Sequence, residues 1–410
     1  MSTPENTGPL RDIRVLDLTR ILAGPTGTQV LGDLGADVIK VERPNDGDDT
    51  RKWGPPFLAG GSGADTNESA YFLAANRNKR SVTIDIAKPE GQALIRGLLA
   101  DCDVLVENFK VGGLEQYGLS YTQLREQFPK LIYCSITGFG QTGPYAPRPG
   151  YDYLVQGIGG IMSLTGEPEG EPVKVGVGIS DVVCGMYAMI AILSALHERE
   201  KSDLGQWIDM SLLDSQVAWL VNEGMNYLLS DKLPQRLGNA HANIVPYQLF
   251  PTADGHVIIA VGNDSQFRRF CDVAGLAGCA DDPRFSSNPV RLENREALVQ
   301  MIKAATCQRT TSEWLEGLEG AGVPCAPVND LRQVFEDPQV ISRAMRVSVD
   351  HPTAEGGAVD LIGSPIKMSR TPVSYRRAPP LLGEHTDEVL STDLKLDEAR
   401  VQELRKMGVI

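Results

Sequence analysis

The feature that most constrains this chain is an alternation of strand and helix signals over its first third. Residues 13–18 (IRVLDL) form an apolar strand run, Ala23-Gly24-Pro25 punctuates it, a helical pattern passes through Gln29 and Leu31, and 38–42 (VIKVE) is a second strand. Pro25 suits the first position of the helix, where its missing N–H has no partner to lose. A strand, a helix and a strand in that order form a βαβ unit, and such a crossover implies parallel pairing. Strand runs at 81–86, 104–109 and 131–136, with helical patterns at 89–100 and 121–128, continue the alternation. The expected fold class is α/β, with a large, doubly wound, Rossmann-like domain.

The 410 residues exceed the roughly 250 to 300 at which a single core stops growing, so a second packing unit is expected. Residues 226–326 change character, with a short strand at 256–261 and helical patterns at 264–275, 290–306 and 311–321. They are assigned to a smaller α+β domain, and residues 1–225 with 327–410 to the large one. The tail shows strand-like runs at 359–362 and 365–369 and a last helix after Leu381-Leu382-Gly383. The stretch 138–152, GFGQTGPYAPRPGYD, is too polar and broken for a core and reads as a loop over the sheet. After Ser180-Asp181 the run VVCGMYAMIAILSALHE is apolar or small on almost every face, which predicts a helix buried on all sides.

A formal net charge of −14 repels nucleic acid and anionic lipid, so a polyanionic ligand must find a local basic pocket and no nucleic-acid partner is expected. The seven cysteines contain no C-x-x-C pair and fit reduced thiols in a cytosol. The start has neither a signal-peptide nor a transit-peptide pattern, and no apolar run reaches the ~20 residues of a bilayer span. A cytoplasmic protein without membrane contact is expected. There is no Gly-Lys dipeptide, hence no Walker A loop, and neither G-x-S-x-G nor H-E-x-x-H occurs. The five histidines are never closer than the 15 residues between His241 and His256, so no metal site is expected. The first turn, G-P-T-G-T-Q-V, fails the G-x-G-x-x-G pattern, and Pro25 removes a donor N–H. Glu42 nevertheless ends the second strand near the spacing of a ribose-binding acid, which leaves a nicotinamide-dependent dehydrogenase as an alternative.

Arg43, Arg77, Lys79, Arg80 and Lys110 stand at or beside predicted strand ends. They form either a solvated rim or the lining of a crevice beyond the carboxyl ends of parallel strands, where a phosphate-bearing nucleotide fits. Asp181, just before the apolar helix, is either an N-cap or a functional carboxylate. The glycine-rich approach VGVGISD lets a ligand come close, and the helix dipole favours the ionised form by about 0.3 to 1 kcal/mol.

In combination, RVLDLTRILAGPTGTQVLGDLGADVIKVERP, NRNKRSVTIDI, DVLVENF, SITGFGQTGPYAPRPGYDYLVQGIGGIMSLTG and PLLGEHTDEVL resemble the class III coenzyme A transferases, the formyl-CoA transferase or CaiB/BaiF family, over nearly the whole chain. The resemblance implies that Asp181 attacks an acyl-CoA thioester, giving a mixed anhydride and then an aspartyl-CoA thioester. No tightly bound cofactor is implied, since coenzyme A is a substrate. Its contacts would be Leu22 and Ala23 in the first turn, Arg43, and Ile84, Asp85, Ile86 and Ala87 around the adenine. Asn108, Phe109 and Lys110 would follow, with Ile136, Thr137, Gly138 and Phe139 along the pantetheine. The resemblance also implies a homodimer of two interlocked, ring-shaped subunits with the active site near their interface.

Some positions depart from formyl-CoA transferase itself. Leu22 replaces a glutamine, Gln116 replaces a CoA-binding arginine, and GNAHANIVPYQ (238–248) stands where that enzyme has a glycine-rich loop. This segment resembles members that use succinyl-CoA and other dicarboxylates, with His241, Asn243 and Arg51 as candidate contacts for a distal carboxylate. An α-methylacyl-CoA racemase shares the fold and the aspartate but needs a second acid/base group. Tyr151 stands where the racemases have histidine, and tyrosine, with an ordinary pKa near 10, is a poor base at neutral pH. A CoA-binding protein without catalysis is a third reading, which the retained Asp181 opposes.

Overall fold

The computed structural model describes residues 6–61 and 65–410, so the first five residues of the stretch expected to lack a targeting signal lie outside it. The chain forms two units, one of residues 1–160, 175–220 and 338–410, the other of 161–174 and 221–337. The expected boundaries at 225 and 327 therefore move to 220 and 337, and residues 161–174 join the second unit although they precede the apolar helix. Spacing did not show this excursion because it carries little regular structure.

In the first unit, period-two alternation divides the strand residues between two cores. The strands are β1 (Arg14–Asp17), β2 (Asp37–Glu42), β3 (Lys79–Thr83), β4 (Val104–Glu107), β5 (Ile132–Thr137) and β6 (Trp207–Ser211). Leu16, Ile39, Leu105 and Tyr133 face one side with the helix Pro89–Leu99 and the C-terminal helices Thr386–Thr392 and Glu398–Lys406. Val15, Val38, Val104 and Ile132 face the other, against α1 (Ala23–Asp33) and α4 (Ile179–Ser202). Here the intervening helices are α2 (Pro89–Leu99) and α3 (Asp152–Ile158), and α5 (Leu212–Ala218) follows β6.

All neighbouring pairs are parallel, in the order β3-β2-β1-β4-β5-β6. The strand order reverses between β1 and β4, and at such a switch point the connections leave in opposite directions and open a crevice beyond the carboxyl ends. The sixth strand, WIDMS, was not expected: it is an edge strand whose residues are mostly half-buried or exposed. Residues 365–369 form no strand. The segment Ala358–Ile362 pairs instead with Arg346–Asp350, which was not foreseen.

Three of the cations read as either a solvated rim or a crevice lining are used in neither way. Arg77, Lys79 and Arg80 lie at the start of β3, where Arg77 pairs with Asp33 at 2.6 Å, Lys79 with Asp17 at 3.1 Å, and Arg80 with Asp37 at 2.5 Å. Lys79 and Asp17 are fully buried, and a buried charge persists only when paired.

The second unit is built on a three-stranded antiparallel sheet, Cys325–Pro327, His256–Ala260 and Tyr247–Pro251 in that order. Its core gathers Phe250, Phe267, Phe270, Phe285 and Trp314. The expected helix at 290–306 divides into Asn288–Glu293 and Arg295–Thr306.

The apolar helix, α4, is not buried on all sides. Met186, Tyr187 and Ile190 are 51, 39 and 52% exposed, so one face is uncovered in the single chain. Its 24 residues, with a mean hydropathy of 1.9 over an 18-residue window, are long and apolar enough for a bilayer span by composition, contrary to the sequence expectation. Half of that window is buried inside the protein, where α4 crosses α1 at two glycines. A Cβ on Gly27 would stand 2.9 Å from the Gly185 carbonyl oxygen, and one on Gly185 would stand 2.3 Å from that of Ala23. Both neighbours are backbone, so neither can turn away. Gly185→Ala is expected to lower the stability by about 1 to 3 kcal/mol, as overpacking does, and thermal unfolding with an unchanged Tm would contradict this contact.

Candidate active site

Two cavities open at the switch point. The first, of about 390 Å³, is lined by Leu22 and Ala23 before and at the start of α1, by Asn108, Phe109 and Lys110 after β4, by Ile136 and Thr137 at the end of β5 and Gly138 after it, and by Asp181. The second, of about 240 Å³, is lined by Arg43, Ile84, Asp85, Ile86 and Ala87. Arg20, Phe109 and Tyr117 line both. Phe139 lies just past the first and packs edge-on against Tyr145, ring centroids 5.7 Å apart.

The turn between β1 and α1 is pinned from two sides. The Arg20 N–H donates to Asn108 Oδ1 at 3.0 Å, and Asn108 Nδ2 donates to the Arg20 carbonyl at 2.8 Å. Ile21 takes φ 73°, an uncommon conformation for a β-branched residue, and its N–H donates to Asp48 at 3.2 Å. Asp48 is held by fully buried Lys40 at 2.9 Å. This network fixes Leu22 and Ala23 on the cavity wall, at the end of α1 whose first N–H groups have no partner within the helix.

Asp181 is not an N-cap. The helix begins at Ile179 with Gly178 at the cap position, so Asp181 lies in its first turn. Asp152 supplies the capping carboxylate from another element, accepting from the Ser180 N–H at 2.8 Å and from Gln156 Nε2 at 2.7 Å. The Ser180 hydroxyl donates to Gln216. Asp181 is 8% exposed. Burial, and then the negative charge of Asp152, push its carboxyl up to about 7, and no hydrogen bond from the described residues offsets them. The helix dipole opposes this rise and is outweighed. The result is a carboxylate more basic, and so more nucleophilic, than an ordinary one.

Arg51 does not belong to this site. It is 6% exposed, paired with Glu42 and Glu68 at 2.8 and 2.9 Å, bonded to the Pro380 carbonyl, and stacked 3.6 Å from the Phe72 ring centroid. Four of its five N–H donors are spent on these buried partners, and it lines neither cavity. His241 and Asn243 belong to the second unit, where His241 Nδ1 accepts from the Asn243 N–H at 3.0 Å and the ring tilts against Tyr247. Arg43 and Lys110 are exposed, and Arg43 approaches Asp49 at 3.4 Å.

Sequence reasoning missed Asp152, Arg20, Asp49 and Glu107. Glu107 ends β4, is 6% exposed, and accepts from the Phe109 N–H at 2.8 Å. Burial pushes it up to about 7. The strand pattern VLVE, an acid ending an apolar run, was its only signal.

A family model described as CoA-transferase family III matches residues 10–386. The chain is 50% identical over 388 residues to the succinate–glutarate CoA-transferase of Agrobacterium fabrum, covering 95% of this chain and 96% of that one. It is 43% identical over 409 residues to the succinyl-CoA:glutarate CoA-transferase of Homo sapiens, covering 100% and 91%. A crystal structure of a CAIB/BAIF family protein from Brucella suis, 47% identical, matches with a TM-score of 0.83 over 95% of this chain and 100% of that one.

The raised carboxyl of Asp181 carries a pH signature. Because its folded pKa, about 7, lies above the ordinary 3.8, the neutral form contributes stability below about pH 4 that is lost as pH rises through 7. Asp181→Asn, which cannot ionise, is therefore expected to gain in Tm relative to the unsubstituted protein between pH 5 and pH 8. A Tm difference independent of pH would contradict the raised pKa.

Proposed function

Because this chain belongs to CoA-transferase family III, and is a CoA-transferase, we propose that it moves coenzyme A between a dicarboxylyl-CoA, of the succinyl-CoA kind, and a free dicarboxylic acid, with Asp181 as the group that carries acyl and then CoA. The observation that supports this most is the placement of Asp181: a buried, basic carboxylate in the first turn of one helix, sharing a cavity with the start of another.

One Asp181 oxygen attacks the thioester carbonyl, the C–S bond breaks, and CoA leaves as thiolate with the acyl group held as a mixed anhydride. The thiolate then attacks the aspartyl carbonyl and expels the donor acid, leaving an aspartyl-CoA thioester. The acceptor acid reverses the two steps. Each attack places negative charge on a carbonyl oxygen beside the N-terminus of α1, where N–H groups and the helix dipole favour it. The Leu22 side chain, which lies against Gly178, puts an apolar wall near the reacting carbon, which matters because water hydrolyses both intermediates.

The first cavity receives the pantetheine and thioester in this reading, and the second, with Ile84 and Ile86 on its wall, the adenine. The dicarboxylate preference rests on the two glutarate-using relatives and on the 238–248 segment. The family resemblance offers His241 and Asn243 of that segment as donors for the distal carboxylate, which needs donors or a cation when it leaves water. An interlocked homodimer rests on family resemblance, and the uncovered Met186, Tyr187 and Ile190 support a partner surface on α4. Seven unpaired thiols support a reducing, cytoplasmic setting. Tyr151, 57% exposed in the first cavity, supports transfer over racemisation, since it offers no effective second base.

In a mass-spectrometric assay with glutarate as acceptor, succinyl-CoA is expected to be a better donor than formyl-CoA, and Asp181→Ala is expected to lose at least a thousandfold in turnover while still binding CoA. Preference for formyl-CoA would remove the dicarboxylate reading. Turnover by Asp181→Ala above about a thousandth of the unsubstituted rate would remove the nucleophile.

A further inference from the structure

One carboxylate at the border of the two cavities stands between two arginines. Asp49 Oδ2 meets Arg20 Nη1 at 2.7 Å, and Asp49 Oδ1 meets Arg43 Nη2 at 3.4 Å. Arg20 lines both cavities, and Arg43 lines the second. A ligand whose adenosine lies in the second cavity and whose thioester reaches Asp181 in the first must pass its diphosphate across this border.

We propose that Arg20 and Arg43 form a clamp for the diphosphate of the CoA ester, and that Asp49 holds the two guanidiniums in place until the diphosphate displaces it. The inference rests on the reading that this chain binds CoA, and adds two residues to it. The root of Arg20 is fixed by the paired hydrogen bonds with Asn108 and by the Ile21–Asp48 contact, so its head is delivered to one place. The head itself is only loosely committed. The side chains of Arg20, Asp49 and Arg43 are 39, 38 and 56% exposed, and exposed ion pairs of this kind contribute little to stability.

The neighbouring acids do not compete for the arginines. Asp48 is neutralised by Lys40, Glu42 by Arg51, and Asp46, whose charge also reaches Arg43, by Lys52. That leaves Asp49 as the carboxylate that touches both guanidiniums. A diphosphate brings more charge and more acceptor oxygens than a carboxylate, and guanidinium groups match phosphate oxygens in pairs. Exchange of one anion for the other therefore runs toward the ligand, and it keeps two like charges from facing each other in the empty site.

The test is calorimetric titration of the intact protein with CoA, 3′-dephospho-CoA and pantetheine, comparing Arg20→Met and Asp49→Asn with the unsubstituted chain. Arg20→Met is expected to weaken CoA and 3′-dephospho-CoA alike by tenfold or more, to leave pantetheine within twofold, and to flatten the salt dependence of CoA binding. Asp49→Asn is expected to tighten CoA by threefold or more. A change of less than twofold in CoA affinity for Arg20→Met, or a loss confined to CoA and absent with 3′-dephospho-CoA, would overturn the diphosphate clamp. Weaker CoA binding by Asp49→Asn would overturn the displacement, because Asp49 would then be a support for the arginines. These results leave the transferase reading standing if the unsubstituted protein binds CoA; failure of that protein to bind CoA at all would overturn both.

Discussion

Where α1 crosses α4, Gly27 and Gly185 leave no side chain at the crossing point, so the two backbones come within contact of each other there. The start of α1 thereby shares one cavity with the first turn of α4. A parallel sheet whose order reverses between β1 and β4 supplies the crevice, as such sheets do at their switch points. The glycine contact decides what stands in it. With any larger pair the helices would separate by about the width of a methyl group, and Asp181 would shift relative to the start of α1, with which it shares the cavity. Reaction geometry tolerates little of this, since displacements on the order of 1 Å can cost a hundredfold in rate.

The same site works against folding. Among the described residues Asp181 and Glu107 are buried acids without a cationic partner, and both are pushed up to about 7. Lys40, Lys79, Arg51 and Arg77 are equally buried but each is paired. The contrast separates two uses of buried charge. Paired ions beneath the sheet fix the register of the turns, whereas the unpaired Asp181 stays basic at the expense of stability, a trade that is common where chemistry needs a strained or desolvated group.

The parallel sheet was legible because strand and helix signals alternate, although 13–18 and 38–42 are apolar runs broken by Asp17 and Lys40, whose buried pairings the sequence does not show. Trp207–Ser211 was not, since an edge strand carries polar and exposed residues that erase the pattern. The long helix was legible as a helix but not in its burial: composition cannot tell a face covered by sheet from one left open at Met186 and Ile190. Arg51 was misread because its partners, Glu42 and Glu68, are 9 and 17 residues away, and a sequence does not show which of its arginines meets a buried acid. Asp152 caps a helix that starts 27 residues later, beyond the reach of any local capping signal. The residues drawn from family resemblance, Leu22, Asn108 and Asp181 among them, share one cavity, yet no spacing rule would have joined positions so far apart in the chain.

The central claim, that Asp181 carries the transferred group, has a direct readout. Protein mixed with succinyl-CoA in the absence of acceptor, quenched in acid, digested and analysed by mass spectrometry should yield a peptide containing Asp181 heavier by CoA minus water, and hydroxylamine should convert it to the hydroxamate. The account predicts this adduct on Asp181, at a level that falls when glutarate is added. Transfer of CoA to glutarate at the normal rate with no adduct at Asp181, or with the adduct on another residue, would contradict it.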